Sequence, residues 1–238
     1  MNQAETSKAG NAAHLGTVLV TGANRGIGLG LVKALRAGGA RVIGTARTPA
    51  DVSAVKALGV EGMQLDVAVP ESVDAFVRGL AGRPIDVVIH NAGVVNRGGT
   101  VLDLDMAEVE RILRVNTLGP MRLTKALLPN LRASARKTVV VISSALGSLT
   151  GNEHGGFVGY RESKAAINMF TRSVAAELRG EGFVVVTMSP GWVRTDMGGA
   201  EAPLSVEQSV DGIVKVIASL SEKDSGAFIS YDGDRVAW

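Results

Sequence analysis

The sequence has 238 residues, of which 46% are hydrophobic, and its 25 basic and 23 acidic side chains leave a formal net charge of +2. That length and apolar content predict a globular chain with a sizeable core, whereas the weak net charge and the few aromatic residues disfavour a nucleic-acid partner. The lack of cysteine excludes disulfides, thiolate metal sites and cysteine nucleophiles, and we expect a cytoplasmic protein.

The first segment, residues 1–14, is polar and rich in Ala, Gly and Ser. It lacks the apolar stretch of a signal peptide, so it predicts a disordered tail. No apolar run in the chain is long enough for a membrane span, which predicts no membrane partner. Residues 15–238 contain no repeat, linker or charge run, which predicts a single domain.

Seven short β-branched runs predict buried strands. They are Thr17–Val20, Arg41–Ile43, Met63–Leu65, Val87–Ile89, Val139–Ile142, Val184–Met188 and Ala227–Ile229. The intervals between them leave room for one or two helices each. This alternation is typical of an α/β fold, and we predict a single doubly wound, parallel, seven-stranded sheet of the Rossmann type with helices on both faces.

Apolar residues recur every four positions in Ile27–Leu35 and Ala166–Leu178, which predicts helices with one apolar stripe each. The second stripe consists of Ala166, Phe170, Val174 and Leu178. Asp103 or Asp105 can cap a helix that runs toward residue 115. The Ser205–Gln208 pattern resembles a capping box for a helix that ends at about residue 220.

Small or polar residues follow the carboxyl end of each of the first six strands. The clusters are Thr21-Gly22, Ala46-Arg47, Asp66, Asn91-Ala92-Gly93, Ser143-Ser144 and Pro190-Gly191. The carboxyl ends of parallel strands meet at one edge of the sheet, where ligands bind in open α/β folds. The pattern therefore predicts a binding site at this edge.

The segment Thr21–Gly28 joins the first strand to the first helix. Its glycines at 22, 26 and 28 let backbone N–H groups approach a pyrophosphate, whose charge the helix dipole favours. The spacing differs from G-x-G-x-x-G, and a glycine turn before a helix can be turn chemistry alone. Its position after the first strand favours a phosphate site, with Asn24, Arg25 and Ile27 among the contacts.

The residues after the second and third strands bear on the choice of cofactor. Arg47 stands where an NAD-binding protein would offer a carboxylate to the ribose. Arg25 and Arg47 together can grip a 2′-phosphate, so we predict that NADP(H) is preferred over NAD(H). Asp66 can accept a hydrogen bond from the adenine amino group, or it can be a plain loop residue.

Tyr160 and Lys164 stand four residues apart and so lie on one helix face. A neighbouring ammonium favours the phenolate, which predicts a lowered pKa for Tyr160 and an acid–base group near neutral pH. Ser144 can hold a substrate oxygen. Asn116 is an amide within an apolar helical region, where it can mark a kink, serve the reaction, or both.

The three histidines are too scattered for a metal site, and no acidic cluster replaces them, so we predict no metal. His154 lies in a glycine-rich loop and can line a pocket. His90 is expected to pack at a strand end.

In this order the motifs resemble those of the short-chain dehydrogenase/reductase family, from about Thr17 to the C-terminus. The residues that carry the resemblance are Thr21-Gly22-x3-Gly26-x-Gly28, Asn91-Ala92-Gly93, Asn116, Ser144, Tyr160-x3-Lys164 and Pro190-Gly191. The segments Gly155-Gly156, Pro190–Gly199 and Tyr231–Trp238 are similar to the sniffer-like or C-factor-like carbonyl reductases.

The resemblance implies that Tyr160 donates a proton to a carbonyl oxygen that Ser144 holds. It implies that Lys164 lowers the pKa of Tyr160 and binds the nicotinamide ribose, and that Asn116 supports a water in a proton relay. The further cofactor contacts implied are Asn91, Ala92, Gly93, Asp66, Val67, Pro190, Gly191, Val193 and Thr195.

The leading hypothesis is an NADPH-dependent reductase of ketones, aldehydes or quinone-like carbonyl compounds, which forms a homodimer or homotetramer. The short segment between Gly191 and Ser205 implies an open pocket and loose substrate choice. The alternative is a signalling or sensor protein that binds NADP(H) and turns it over only incidentally. Dehydration or epimerisation of a nucleotide sugar is a third reading, but it requires a substrate domain for which little chain remains.

Overall fold

The computed structural model describes residues 12–96 and 99–238. One parallel sheet holds seven strands in the order β3-β2-β1-β4-β5-β6-β7, which confirms the predicted doubly wound architecture. The strands are β1 (Thr17–Val20), β2 (Arg41–Ala46), β3 (Glu61–Gln64), β4 (Val87–His90), β5 (Thr138–Ile142), β6 (Val184–Ser189) and β7 (Phe228–Ser230). The α-helices are α1 (Gly26–Ala37), α2 (Pro49–Ala57), α3 (Pro70–Gly79), α4 (Met106–Leu113), α5 (Gly119–Arg132), α6 (Tyr160–Glu177) and α7 (Val206–Ser219).

The helices cover both faces of the sheet, as its strand pattern requires. Val18 and Val20 of β1 belong to one apolar core and Leu19 to the other, because successive side chains of a strand point to opposite faces. Residues of α1, α2 and α7 complete the first core, and residues of α3, α5 and α6 complete the second. The predicted helices on both faces are thereby confirmed.

Local capping chemistry sets where several helices begin. Asp105 caps α4 by accepting hydrogen bonds from the backbone N–H groups of Ala107 and Glu108, so it is Asp105 and not Asp103 that begins this helix. The predicted capping box of α7 is present, with 3.1 Å from the Gln208 nitrogen to Ser205 Oγ. These caps satisfy N–H groups that the first turn of a helix leaves without partners.

The inner face of α6 differs from the predicted stripe. Val174 is buried, but Ala166, Phe170 and Leu178 are only partly buried. The fully buried face of this helix consists of Tyr160, Ser163, Lys164, Ile167, Asn168, Thr171, Val174 and Ala175. Phe170, Val174 and Leu178 of the stripe do pack in or against the second core, but hydrophobicity alone misses the buried polar groups, most of which have hydrogen-bond partners inside the protein.

The beginning of the described chain contributes to the core. Of the predicted tail, residues 1–11 lie outside the described residues, whereas Ala12 is buried in the first core and Ala13–Leu15 form a short 3-10 turn. Among the described residues, none of the helices combines the length and the hydropathy that a membrane span requires.

Strand β1 lies between β2 and β4. From β1 the chain adds β2 and β3 toward one edge of the sheet, and it then returns to add β4 to β7 toward the other edge. At such a switch point the loops that follow the two strands separate and leave a crevice at their carboxyl ends. The residues singled out after β1, β2, β4, β5 and β6 all lie at this edge.

Candidate active site

A cleft of about 510 Å³ opens at the carboxyl edge of the sheet. The predicted cofactor residues that line it are Gly22, Asn24, Arg25, Gly26, Ile27, Gly28, Arg47, Asp66, Val67, Asn91, Ala92, Gly93, Tyr160, Lys164, Pro190 and Thr195. Five independent loops and one helix therefore converge on a single space. Four other predicted site residues, Gly191, Val193, Asn116 and Ser144, are not among its lining residues.

The glycine turn is built for close approach of backbone. Gly26 has a φ of 50°, which favours glycine, and a Cβ built there would lie 3.4 Å from Thr195 Cγ2. A Cβ on Gly28 would overlap the carbonyl oxygen of Gly22. Asn91 braces the turn from β4, since its Nδ2 donates to the backbone oxygens of Thr21 and Gly22 at 2.9 and 3.2 Å.

The far end of the cleft carries both predicted arginines together with carboxylates that sequence reasoning missed. Arg25 Nη1 lies 3.2 Å from Asp196 Oδ2 in an exposed ion pair. Asp51 accepts a hydrogen bond from Asn24 at 3.0 Å, and hydrogen bonds from Thr48 and Asn24 lower the pKa of its carboxyl, with smaller contributions from Arg47 and Arg25. The sequence could mark Asp51 only as an acidic residue in the first turn of a helix, and it does not reveal that this turn reaches the cleft.

Asp66 serves the local loop and also lines the cleft. Its Oδ1 accepts a hydrogen bond from the backbone of Ala68 at 2.9 Å, while its own N–H donates to Ser72. Asp66 is therefore a loop residue that also lines the cleft, and its carboxylate has lone pairs left after this bond.

Tyr160 is the first residue of α6, and Lys164 follows one turn later. Both are buried, at 7% and 6% exposure. A hydrogen bond joins Tyr160 to Ser144. Lys164 Nζ donates to the backbone oxygen of Ile142 at 2.9 Å, which holds the ammonium at the end of β5. The helix thus presents a phenol and an amine to the same wall of the cleft.

Burial dominates the titration of both groups. It raises the pKa of Tyr160, and the hydrogen bond with Ser144 offsets part of that effect. Burial lowers the pKa of Lys164 to about 8. The net shift of the Tyr160 pKa is therefore opposite to the expected lowering, because loss of water around the phenol dominates it.

The two adjacent serines at the end of β5 have different partners. Ser144 bonds to Tyr160, and its Oγ accepts a hydrogen bond from the N–H of Leu146 at 3.1 Å. Ser143 donates to Asn168 Oδ1 at 2.6 Å and is buried. Ser144 is thus the serine that partners the phenol, whereas Ser143 is the one of the two that lines the cleft.

Asn116 lies in a π-helical turn, Arg114–Leu118, between α4 and α5. Its Oδ1 accepts from Val94 N at 2.9 Å, and its Nδ2 donates to Val94 O at 2.8 Å and to Ser163 Oγ at 3.0 Å. The amide therefore ties the loop after β4 to α6. This supports the helix irregularity expected for Asn116 and places the side chain behind the cleft wall instead of in it.

The loop after β6 is closed on itself. Val193 is buried and forms an isolated bridge with Leu204, and Arg194 Nη1 donates to the carbonyl oxygens of Ala202 and Pro203, both at 2.8 Å. Gly191 and Val193 thus shape the loop and are not among the lining residues of the cleft, so their contact with a cofactor stays a prediction. Met197, Val94 and Val95 line it instead, and no sequence signal marked their side chains.

The histidines lie outside the cleft. His154 is exposed and is not a lining residue, so the suggestion that it lines this pocket is wrong. His90 is buried at the end of β4, with Nε2 2.9 Å from Thr124 Oγ1, and burial lowers its pKa to about 4. Within the described ranges, no group of His, Cys, Asp and Glu is arranged to hold a metal ion.

Comparisons with known proteins point the same way. Residues 16–203 match the family model for short chain dehydrogenases. C-signal of Myxococcus xanthus is 46% identical over 164 residues, which cover 69% of this chain and 99% of that protein. The carbonyl reductase Sniffer of D. melanogaster superposes with a TM-score of 0.89 at 34% identity, covering 93% of this chain and 99% of that chain. The NADPH-bound carbonyl reductase from chicken fatty liver gives 0.87 at 36% identity, covering 93% and 98%.

Proposed function

The chain belongs to the short-chain dehydrogenase family, and from this premise we propose that it is an NADP(H)-dependent reductase of carbonyl compounds such as ketones, aldehydes and quinone-like molecules. One observation carries the proposal. The Tyr160 hydroxyl is buried, is hydrogen-bonded to Ser144, and lies in the wall of the same cleft that the glycine turn lines.

The cleft residues fit a nicotinamide dinucleotide. Gly26 lacks a side chain that would project toward Thr195, which also lines the cleft, and this would let a pyrophosphate approach the backbone N–H groups of the glycine turn. Arg25 and Arg47 line the end where the adenosine moiety would lie, and Lys164 lines the opposite end with Tyr160. When bound, the nicotinamide would supply the hydride that reduces the carbonyl carbon.

Side chains of the protein would then transfer the proton. Because the pKa of Tyr160 is raised, the phenol stays protonated near neutral pH and can donate to the carbonyl oxygen, while Ser144 holds that oxygen by its hydroxyl. Lys164, with a pKa of about 8, is mostly charged at neutral pH and stabilises the phenolate left behind. Asn116 would act behind this wall, where it fixes Ser163 and the loop after β4 and so supports the relay by which Tyr160 regains its proton.

The preference for NADP(H) over NAD(H) rests on charge. Ala46, at the end of β2, offers no carboxylate to a ribose, and Arg25 and Arg47 supply two guanidinium groups nearby. The Asp51 carboxylate accepts hydrogen bonds from Thr48 and Asn24, and Arg25 forms an exposed ion pair with Asp196, which an added phosphate would have to replace. The NADPH bound to the chicken carbonyl reductase is consistent with this preference.

The direct test is a screen of ketones, aldehydes and quinones with NADPH consumption as the readout. We expect steady oxidation of NADPH with members of at least one class and none above background for the Tyr160→Phe variant. Equal rates for the two proteins across the whole screen would remove the basis of the proposal.

A second candidate function is signalling or sensing, in which NADP(H) binding matters and turnover is incidental. The observation that favours it is the 46% identity to a protein named C-signal. Variants tested in cells distinguish the two functions. A biological effect that survives Tyr160→Phe but is lost when Gly26→Ala abolishes cofactor binding supports sensing, whereas loss in both variants supports catalysis.

Assembly into a homodimer or homotetramer, and a cytoplasmic location, belong to the same proposal. Leu118, after α4, and Met169, on α6, leave large apolar side chains exposed, at 47% and 64%. Apolar side chains on long helices are suited to pairing with a second copy. Sedimentation of the purified protein would give the number of copies, and a monomer at micromolar concentration contradicts this part.

A further inference from the structure

Asn168 is a buried amide on α6, one turn beyond Lys164 and two turns beyond Tyr160 on the same helix face. We infer that Asn168 is a positioning residue that fixes the Ser144 hydroxyl against Tyr160 by holding the chain on both sides of Ser144. The inference rests on the proposed function and assigns a role to a residue that lines neither the cleft nor the cofactor end.

Two hydrogen bonds form the clamp. Ser143 Oγ donates to Asn168 Oδ1 at 2.6 Å, and Asn168 Nδ2 donates to the carbonyl oxygen of Gly147 at 3.1 Å. Ser143 directly precedes Ser144, and Gly147 closes the 3-10 turn that Ser144 begins. The Asn168 side chain therefore holds the segment at two points, directly before Ser144 and three residues after it.

The segment needs such a clamp because its own turn is short. Ala145–Gly147 is a three-residue 3-10 turn, closed by a bond of 2.9 Å from Gly147 N to Ser144 O. The turn packs tightly on α6, since a Cβ on Gly147 would lie 2.7 Å from Lys164 Cβ and 3.1 Å from Asn168 Nδ2. Asn168 converts this close contact into a fixed position relative to the helix that carries Tyr160.

The chemistry of the side chain matches the task. A carboxamide accepts through its oxygen and donates through its nitrogen, so it can satisfy a serine hydroxyl and a backbone carbonyl at the same time. An aspartate or an aliphatic side chain of the same size cannot do both. Asn168 is 2% exposed, so water cannot replace either partner without rearrangement.

A double-mutant cycle tests whether Asn168 acts through Ser144. We expect Asn168→Ala to lower kcat for carbonyl reduction by about tenfold or more, the scale of a small misplacement in an active site, with the Kd for NADPH unchanged. In the Ser144→Ala background, Asn168→Ala should have little further effect, because the hydroxyl it positions is gone. Losses that multiply in the double variant would overturn the inference.

Asn130→Ala is the matched control. Asn130 is an equally buried amide on α5 that donates to a backbone carbonyl, that of Arg83, at 2.8 Å and far from the cleft. This variant should lose stability to a similar degree yet keep kcat. If Asn168→Ala leaves kcat within about twofold of Asn130→Ala, the positioning role is excluded.

A second readout does not depend on finding a substrate. The chain has two tyrosines, so in a Tyr231→Phe background the ultraviolet titration reports Tyr160 alone. Because the hydrogen bond with Ser144 lowers the pKa of Tyr160, both Asn168→Ala and Ser144→Ala should raise it further, whereas Asn130→Ala should not. An unchanged titration in Asn168→Ala overturns the inference even if the wild-type protein reduces no carbonyl compound.

The outcomes distinguish the inference from the proposed function. Activity in the wild type and a loss in Ser144→Ala, with neither kcat nor titration altered in Asn168→Ala, refutes the role of Asn168 alone. If Asn168→Ala does not fold, Ser143→Ala removes one arm of the clamp from the other side. It should then give smaller changes in the same direction, and unchanged kcat and titration would count against the clamp.

Discussion

The ammonium of Lys164 lies 5.6 Å from the centroid of the Tyr160 ring, one helical turn along α6. Its bond to the backbone of Ile142 anchors that ammonium at the end of β5. The charge is therefore close enough to stabilise a phenolate once it forms. This arrangement suits a phenol that donates its proton during the reaction and is ionised only briefly.

Replacing Tyr160 with Phe should lower turnover by at least about a hundredfold, because the proton donor is lost while the ring remains. The Kd for NADPH should stay unchanged. Steady-state kinetics and a cofactor titration measure the two quantities. Tyr231→Phe is the matched control, since it removes the other hydroxyl of this kind without touching the cleft residues. Full activity in Tyr160→Phe would mean that another group supplies the proton.

Removing the guanidinium of Arg47 should weaken NADPH binding by at least about tenfold, because a phosphate would lose a charged hydrogen-bond donor. The affinity for NADH should change by less than about threefold, because NADH has no 2′-phosphate with which the Arg47 guanidinium could interact. The same direction is expected for Arg25→Ala. Dissociation constants for both cofactors, with Arg179→Ala as an exposed control away from the cleft, decide the matter. Tighter binding of NADH than NADPH by the wild type would contradict the assignment.

Gly26→Ala tests the glycine turn. Its positive φ costs an alanine about 1 to 2 kcal/mol, and the added methyl group would lie 3.4 Å from Thr195 Cγ2, another lining residue of the cleft. We expect at least about tenfold weaker binding of NADPH. Gly82→Ala is the matched control, because Gly82 has a φ of 74° and open space around its Cβ position. The two variants should have similar melting temperatures, and equal affinity for NADPH would argue against a phosphate site.

His90 should make the protein sensitive to mild acid. Its pKa is about 4 in the folded protein against 6.5 ordinarily, so between these values the unfolded chain binds the proton and the folded protein does not. Stability from this residue is present above pH 6.5 and falls as the pH drops to 4, by up to about 3 kcal/mol.

Urea unfolding at about pH 7 and about pH 4.5 measures this effect. The difference in unfolding free energy between the two pH values should be smaller in His90→Asn than in the wild type. His154→Asn, which removes an exposed histidine, should keep the wild-type difference. Equal pH dependence in wild type and His90→Asn would show that the buried imidazole is not responsible.

The strands and the binding edge are predictable because each rests on a local pattern. Runs of β-branched residues such as Val184–Met188 predict strands, and the small residues that follow them mark the edge where parallel strands end. Alternation with helices also predicts that the sheet is parallel, whereas it does not give the order of the strands. These features need no knowledge of which side chains meet across the fold.

The parts that escaped prediction depend on contacts between distant segments. The buried face of α6 includes the polar residues Ser163, Lys164 and Asn168, which its hydrophobicity pattern does not mark. The pKa of Tyr160 depends on how fully the fold removes water from the phenol. Asp51 reaches the cleft only because α2 begins beside the glycine turn, which spacing along the chain does not reveal.

The π-helical turn that carries Asn116 has a consequence for engineering this protein. Its bond from Gly119 N to Arg114 O spans one residue more than an α-helical bond, so α4 and α5 are out of phase by that residue. Deleting a single residue there would convert this turn into a regular α-helical one and remove the bulge that brings Asn116 to Val94. Chimeras with relatives should therefore exchange Met106–Arg132 as one block, because this stretch tolerates altered side chains far better than altered length.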